Sequence, residues 1–360
     1  MRSGLILVSL VLLSANAFAG QAPTPASTPV PNRTKAEVDA LIAKDGPAPP
    51  DWWNNTPLNF PKTLDLTMGP PKTKNWDPNA NVGQYFWSTI NENPSKWKEG
   101  VKFAAHLLTL NKDDEKKAGT AMHQMAHLYK DCLNDYSRAA YWLLQAGEKE
   151  TEDLAYCYYQ MGAKDTAKDL LTKVGPDYTR HGTVIKMWSD LGEYETALKL
   201  ADAKAKDGSQ DIAYLMAGDA CRKQGKFKEA LDFYAKVLTA DPQKVGRDFK
   251  QSKDRAQANI DAVKLFDTLD LSKVPDGAYT SSSVGYTGPV KVEVTMKGGK
   301  IADIKITDHH EKQFYGAITE TPRRIIEKQS VKGIDTFSSA TITSEAIINA
   351  TAKALSAAMK

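Results

Sequence analysis

The chain has 360 residues, 41% of them hydrophobic and 25% charged, and 47 Lys and Arg against 44 Asp and Glu leave a formal charge of +3. That composition is globular, and the length suits two or three structural units. The charge is too balanced to argue for nucleic acid or an anionic membrane as a partner.

Residues 1–19 read as a secretory signal peptide. Arg2 precedes an apolar run from Leu5 to Leu13, and Ala17-Phe18-Ala19 is a small-x-small cleavage site. The run is shorter than the roughly 20 residues of a membrane span. No other run is long enough, and no Cys follows the cleavage point to carry a lipid. The expectation is cleavage after Ala19 and a periplasmic or extracellular protein with no membrane span in its mature chain. Cys132, Cys157 and Cys221 all lie in helical patterns, and there is no C-x-x-C. Export permits a disulfide, but spacing selects no pair; buried thiols are the default for such positions.

Residues 20–81 form a proline-rich segment: 12 of the 18 prolines lie between 20 and 80. The part up to Pro31 reads as an extended linker. "TKAEVDALIAK" reads as one short helix, capped by Thr34 with Glu37 as the reciprocal partner of a capping box. "PDWWNNTPLNFPKTLDL" places two Trp and a Phe among prolines. Side chains of that size need cover, so the stretch is expected to strap across the first helical repeat; a partner-docking strip is the alternative.

Residues 82–270 are helical with short breaks, and they repeat. "NDYSRAAYWL", "GAKDTAKDLL", "GEYETALKLA" and "GKFKEALDFY" share a frame that starts at Asn134, Gly162, Gly192 and Gly225, spaced 28, 30 and 33. Ala139, Ala167, Ala197 and Ala230 follow five residues later each time. Gly or Asn permits the tight turn between helices, and the small residue permits close approach. Tyr214, Gly218, Gly225, Phe227, Ala230, Tyr234 and Pro242 resemble the tetratricopeptide pattern. The implied architecture is a stacked solenoid, acting either as a peptide- or protein-binding surface or as a rigid spacer.

Residues 271–360 change character. "GPVKVEVTM" alternates, with Val290, Val292, Val294 and Met296 on one face. Gly298-Gly299 make a hairpin turn, and "IADIKIT" follows with Ala302, Ile304 and Ile306 expected on one face. Thr321 and Pro322 read as the cap and first residue of a helix, and a last helix is expected from Thr343 or Ser344. The fold class is thus multidomain: an α-helical, tetratricopeptide-like solenoid followed by a small α+β domain.

"DTFSSATITSEA", residues 335–346, holds three Thr and three Ser just ahead of that last helix. Unpaired N–H groups at a helix start favour an anion by roughly 0.3–1 kcal/mol. Ser338, Ser339 and Thr343 add donors beside Thr341. Ser and Thr also cap helices everywhere, so the stretch by itself favours capping.

Its surroundings add a resemblance. Asp276-Gly277 with Tyr279, Gly285-Tyr286-Thr287-Gly288-Pro289, His310-Glu311, Gln329-Ser330 and the Asp335-x-x-Ser338-x-Ala340-Thr341 segment occur in order. Together they resemble the FMN-binding domain family, which includes covalent-FMN subunits of the sodium-pumping NADH:quinone reductase and related complexes. The resemblance covers about 276–355. It implies FMN held by a phosphoester to Thr341, made by a flavin transferase from FAD with a divalent metal, and Asp335 as a residue that the transferase reads. It also implies Gly285, Tyr286, Glu311, Ser338, Ser339, Ala340 and Thr343 around the cofactor. Ser339 stands where the family carries Gly; at a positive-φ position that exchange costs about 1 kcal/mol.

Tyr286, Tyr315 and Phe337 are placed by position either beside the flavin ring or in the core. His309 and His310, adjacent on an extended segment, point to opposite sides and do not suit one metal, so no metal site is expected. Arg323 and Arg324 could attract phosphate, with a solvated helix face as the default reading. The resulting expectation is an exported flavoprotein electron carrier, with no catalytic residues of its own for a separate substrate. The repeats would dock it to a redox protein or a membrane electron-transfer complex. The alternative is an interaction scaffold whose flavin site is noncovalent or lost.

Overall fold

A computed structural model describes residues 31–359 except 73, 150, 175–181, 313–315, 338 and 339. The segment expected to be a signal peptide, Tyr315, Ser338 and Ser339 lie outside the described residues. Helix α1 (Lys35–Asp45) opens on the expected capping box, Thr34 with Glu37. The aromatic stretch that follows packs on α3 (Trp97–Leu110), beyond the short α2 (Val82–Tyr85). Phe60 lies 4.7 Å from Phe103, ring to ring, and Lys102 Nζ donates to the carbonyls of Trp53 and Thr56.

The helical region continues through α4 (Glu115–His127), α5 (Tyr136–Gln145), α6 (Glu152–Gln160), α7 (Lys164–Lys173), α8 (Thr183–Asp190), α9 (Tyr194–Lys206), α10 (Gln210–Lys223), α11 (Phe227–Leu238) and α12 (Phe249–Phe266). From α3 to α7 and again from α8 to α12 each helix packs on the next. The turn residues Asn134, Gly162, Gly192 and Gly225 all have positive φ, between 55° and 98°. At three of them the following N–H reaches back five residues, as in Lys226 N–H to Cys221 O, closing the helix end as a Schellman turn. Ala139, Ala167, Ala197 and Ala230 are all completely buried. Gly218 shows why the frame needs small residues: a Cβ there would sit 2.4 Å from the Tyr234 ring. The three cysteines are free and buried, and burial pushes their thiols up from their ordinary values.

The C-terminal domain is a three-stranded antiparallel sheet, β1 (Gly277–Val284), β2 (Pro289–Lys297) and β3 (Lys300–Asp308), in the order β1-β2-β3, with α13 (Gly316–Lys328) and α14 (Thr341–Ala358). Val290, Val292, Val294 and Met296 are buried as expected. On β3 the expected face is corrected: Ile301, not Ala302, enters the core. A register shift pairs Met296 with Ile301 and Thr295 with Asp303, so the bulge leaves Ala302 outside the ladder and exposed.

A second correction concerns α13. It begins at Gly316, runs through Pro322, and leaves Thr321 inside. Thr321 caps nothing; its Oγ1 donates to Ser344 Oγ at 3.1 Å. The extra turn is anchored by tertiary contact, because Gly316 packs against the Phe337 ring and the Asp131 carbonyl. One apolar core runs from α10, α11 and α12 through Phe266 and Val263 into the sheet and Ile347 of α14. The last helix is therefore buried between the sheet and α12, which fixes where its N-terminus points.

Candidate functional site

Helix α14 starts at Thr341, two residues before the expected boundary. Its N-cap is Ala340, which makes no side-chain hydrogen bond. Ser344 serves the preceding loop instead, accepting from the Phe337 N–H at 3.0 Å. Among the described residues this 18-residue helix begins without a side-chain cap, and its first N–H groups carry partial positive charge. Thr341 is partly exposed, and its Oγ1 lies 3.5 Å from the Phe337 carbonyl.

On one side of this helix start, Glu311 ties three pieces together. Its buried carboxylate accepts from Thr343 Oγ1 and, at 3.1 Å, from the Thr287 N–H. Gly285 N–H bonds the Gly288 carbonyl at 2.9 Å and closes the loop between β1 and β2. A Cβ on Gly285 would meet Glu311 Oε1 at 2.5 Å and Gly288 O at 2.6 Å, so glycine is required by space. Gln251 of α12 donates to the Tyr286 carbonyl, while the Tyr286 ring is 60% exposed. The structure therefore brings Gly285, Tyr286, Glu311 and Thr343 together around one end of α14. Phe337 belongs to the core, packed against Ala317 and 1% exposed.

On the other side lies a cleft against the helical region. Thr341, Asp335, Thr336 and Glu345 line one wall; Lys186, Ser189 and Asp190 of α8 and Asp219, Arg222 and Lys223 of α10 line the other. Asp335 accepts from Lys186 at 3.4 Å and from Lys223 at 3.2 Å, and its backbone carbonyl accepts from Arg324 at 2.9 Å. Asp190 accepts from the same two lysines. Burial opposes ionisation of Asp335, but Lys186, Lys223 and Arg324 outweigh it and hold the carboxyl well below its ordinary range. Burial likewise opposes the Lys186 charge, and Asp190 and Asp335 outweigh it.

The cleft has a cavity volume of about 40 Å³, room for a few waters or one tetrahedral oxyanion. It has no room for a fused three-ring system. Among the described residues no group of His, Cys, Asp or Glu is placed to hold a metal, and no helix is long and apolar enough to cross a membrane.

Residues 285–356 match the FMN-binding domain. The match spans the loop of Gly285, the Glu311 brace and all but the last two residues of α14, so the flavin-binding family's segment includes the start of that helix. An uncharacterized protein of Treponema pallidum (strain Nichols) is 34% identical over 86 residues, which cover 23% of this chain and 24% of that one. The chain thus spans about a quarter of the length of that curated relative. No solved structure matches.

Lys186, Ser189, Asp190 and Lys223 did not emerge from sequence reasoning. They lie at least 112 positions from Asp335 in the chain, and each reads locally as an ordinary position on a repeat helix. Only the packing of α8 and α10 against the FMN-binding domain brings them to Thr341. Of the two arginines expected either beside a phosphate or on a solvated face, Arg324 turns inward to the Asp335 carbonyl, while Arg323 pairs with Glu320 and Glu327.

Proposed function

We propose that this chain is an exported flavoprotein electron carrier, with FMN esterified through its phosphate to Thr341 and tetratricopeptide-like repeats that dock it to a redox partner. The observation that carries the reading is the coincidence of the FMN-binding match with Thr341 as the first residue of a helix beside a cleft with room for an oxyanion. The residues that would hold the group are Thr341 and the N–H groups at the start of α14 for the phosphate. Gly285, Tyr286, Glu311 and Thr343 would shape the side where the ring can extend. Bound FMN supplies the capacity to accept and donate one or two electrons; the protein sets position, solvent access and local charge.

Attachment needs only a hydroxyl from this chain. Thr341 Oγ attacks the flavin-side phosphorus of FAD, the bond between the two phosphates breaks, and AMP leaves with the bonding pair. The hydroxyl proton passes to a base of the transferase, and no oxidation or reduction occurs. A bond rather than an equilibrium suits an exported protein, because a dilute cofactor outside the cell's interior would otherwise diffuse away.

The test is direct. Co-expressed with a flavin transferase, the mature chain should remain yellow after denaturation and precipitation, and its mass should rise by one FMN less one water. Thr341→Val should remove both signals completely. The narrow cleft favours one second reading, a scaffold whose flavin site is lost; a colourless wild type under the same conditions would establish it.

A further inference from the structure

We propose that the helical region supplies half of the phosphate site: Lys186, Ser189 and Lys223, on α8 and α10, complete an anion cradle whose other wall is the start of α14 at Thr341. The ligand class is a phosphate group, free or carried by a flavin nucleotide. The proposal builds on the reading of Thr341 given above. Its own observations are separate, because all three residues lie outside the segment 285–356 that matches the FMN-binding family.

The first observation is Ser189. Its side chain lines the cleft, the residue is 2% exposed, and its Oγ has no hydrogen-bond partner among the described residues. A buried hydroxyl left in that state costs about 1–3 kcal/mol, and native structures rarely tolerate one without a missing ligand or water. A helical Ser commonly escapes by bonding the carbonyl four residues back. Here that would be Ile185, and the bond is not made.

The second is the pair of lysines. An ammonium has three donors. Lys186 bonds Asp190 and Asp335, and so does Lys223. Among the described residues each therefore retains one N–H, in a cleft where Lys186 is only 10% exposed. The third is the opposite wall, where α14 presents N–H groups that no side chain among the described residues caps.

The cleft is lined by three cations, Lys186, Arg222 and Lys223, and four carboxylates, Asp190, Asp219, Asp335 and Glu345. Arg255 and Arg324 stand behind that lining, Arg255 on Asp219 and Glu345 and Arg324 on the Asp335 carbonyl. The two spare ammonium donors, the Ser189 hydroxyl and the helix amides suit an oxyanion in number and kind. The cavity volume of about 40 Å³ admits a phosphate and turns a ring outward. The repeats then do more than carry the FMN-binding domain: they close over the attachment point and neutralise its phosphate.

The experiment uses the full mature chain made without a transferase, titrated by calorimetry and ³¹P NMR with inorganic phosphate, FMN and riboflavin. Phosphate and FMN should bind competitively, and riboflavin should not bind. Lys186→Gln combined with Lys223→Gln should weaken both ligands by about tenfold or more. Ser189→Ala, which removes one atom and should leave the fold intact, should weaken them by about threefold. Phosphate affinity that is unchanged in Ser189→Ala and in the folded lysine variant, or riboflavin binding as well as FMN, overturns the composite site. Phosphate binding as expected on a Thr341 that never gains flavin sustains the cradle and sinks the attachment reading. Flavin on Thr341 with lysine and serine variants indistinguishable from wild type does the reverse.

Discussion

Helix α14 meets the helical region through two polar clusters, and they are built differently. One turn into the helix, Glu345 accepts from Arg255 Nε at 2.8 Å and Nη2 at 3.0 Å, and from Asn259 at 3.1 Å. Arg255 also reaches Asp219, which Tyr234 Oη caps at 2.8 Å. Arg222 bridges Asn259 and Asn349, and Asn349 donates back to Asn259 at 2.7 Å. At the helix end, Lys186 and Lys223 share Asp190 and Asp335 and leave donors over, with Ser189 unpartnered beside them. The first cluster is saturated and fixes how the two regions dock. The second is unsaturated in a way that a ligand would complete. Satisfaction of hydrogen bonds, rather than charge, separates a structural cluster from a receptive one.

The largest difference should appear on deleting one cation from each. Arg255→Met removes the cation that bonds both Glu345 and Asp219 and leaves only the more remote Arg222 acting on Glu345, and removing one partner of such a group typically costs about 3–5 kcal/mol. Lys223→Gln leaves Lys186 to serve both Asp190 and Asp335, and should cost about 1.5 kcal/mol, near the low end for a hydrogen bond to a charged group. Denaturant unfolding of the two variants beside wild type checks the ratio. Equal losses would erase the distinction drawn here.

A smaller, pH-dependent effect follows from the same saturated cluster. Burial first, and the Glu345 charge second, raise Asp219 to about 7, while Arg255 lowers Glu345 to about 2 despite burial. Asp219 binds a proton in the folded chain between its ordinary value of 3.8 and about 7, where the unfolded chain has released it. Folded-state stability from this group is therefore full below pH 3.8 and lost as pH rises to about 7. Glu345 acts in the opposite sense and only between about 2 and 4.5, adding stability as pH rises through that window. Thermal melts from pH 5 to 8 should show a declining contribution that Asp219→Asn removes, since the amide keeps the uncharged form throughout. A variant whose slope matches that of wild type would remove Asp219 as its source.

Much of this molecule is local and could be read locally. The capping box at Thr34, the positive-φ turns at Asn134, Gly162, Gly192 and Gly225, and the Gly298-Gly299 hairpin each depend on residues within one turn of each other. Local reading fails where distant contacts decide. Ala302 was displaced by a bulge that only the partner strand defines, and α13 gained a turn because Gly316 finds Phe337 and Asp131. The site divides the same way. Glu311 and Thr343 belong to one short domain whose motif could be recognised. Lys186, Ser189 and Lys223 carry no mark in their own helices, and neither does the saturated cluster around Arg255. A lysine four residues before an aspartate, as in Lys186 and Asp190, is what a solvated helix face also shows.

Tyr286 gives the smallest and most selective probe. Its ring is 60% exposed, and the bonds that hold its loop use backbone: Gln251 to its carbonyl, Gly285 N–H to Gly288 O, and Thr287 N–H to Glu311. Tyr286→Ala should therefore shift stability by less than about 0.5 kcal/mol, the range of ordinary surface substitutions. The loop nevertheless adjoins Thr343, two residues from Thr341 along the helix start. If the ring of an attached flavin leaves the cleft on this side, the variant should change the flavin's visible absorption and fluorescence yield, because an aromatic neighbour quenches and perturbs a stacked ring. Lys223→Gln should leave that spectrum alone, acting on the phosphate instead. A spectrum altered by the lysine variant and indifferent to Tyr286→Ala would place the ring against the helical region, and the receptive cluster would then be the ring's neighbour rather than the phosphate's.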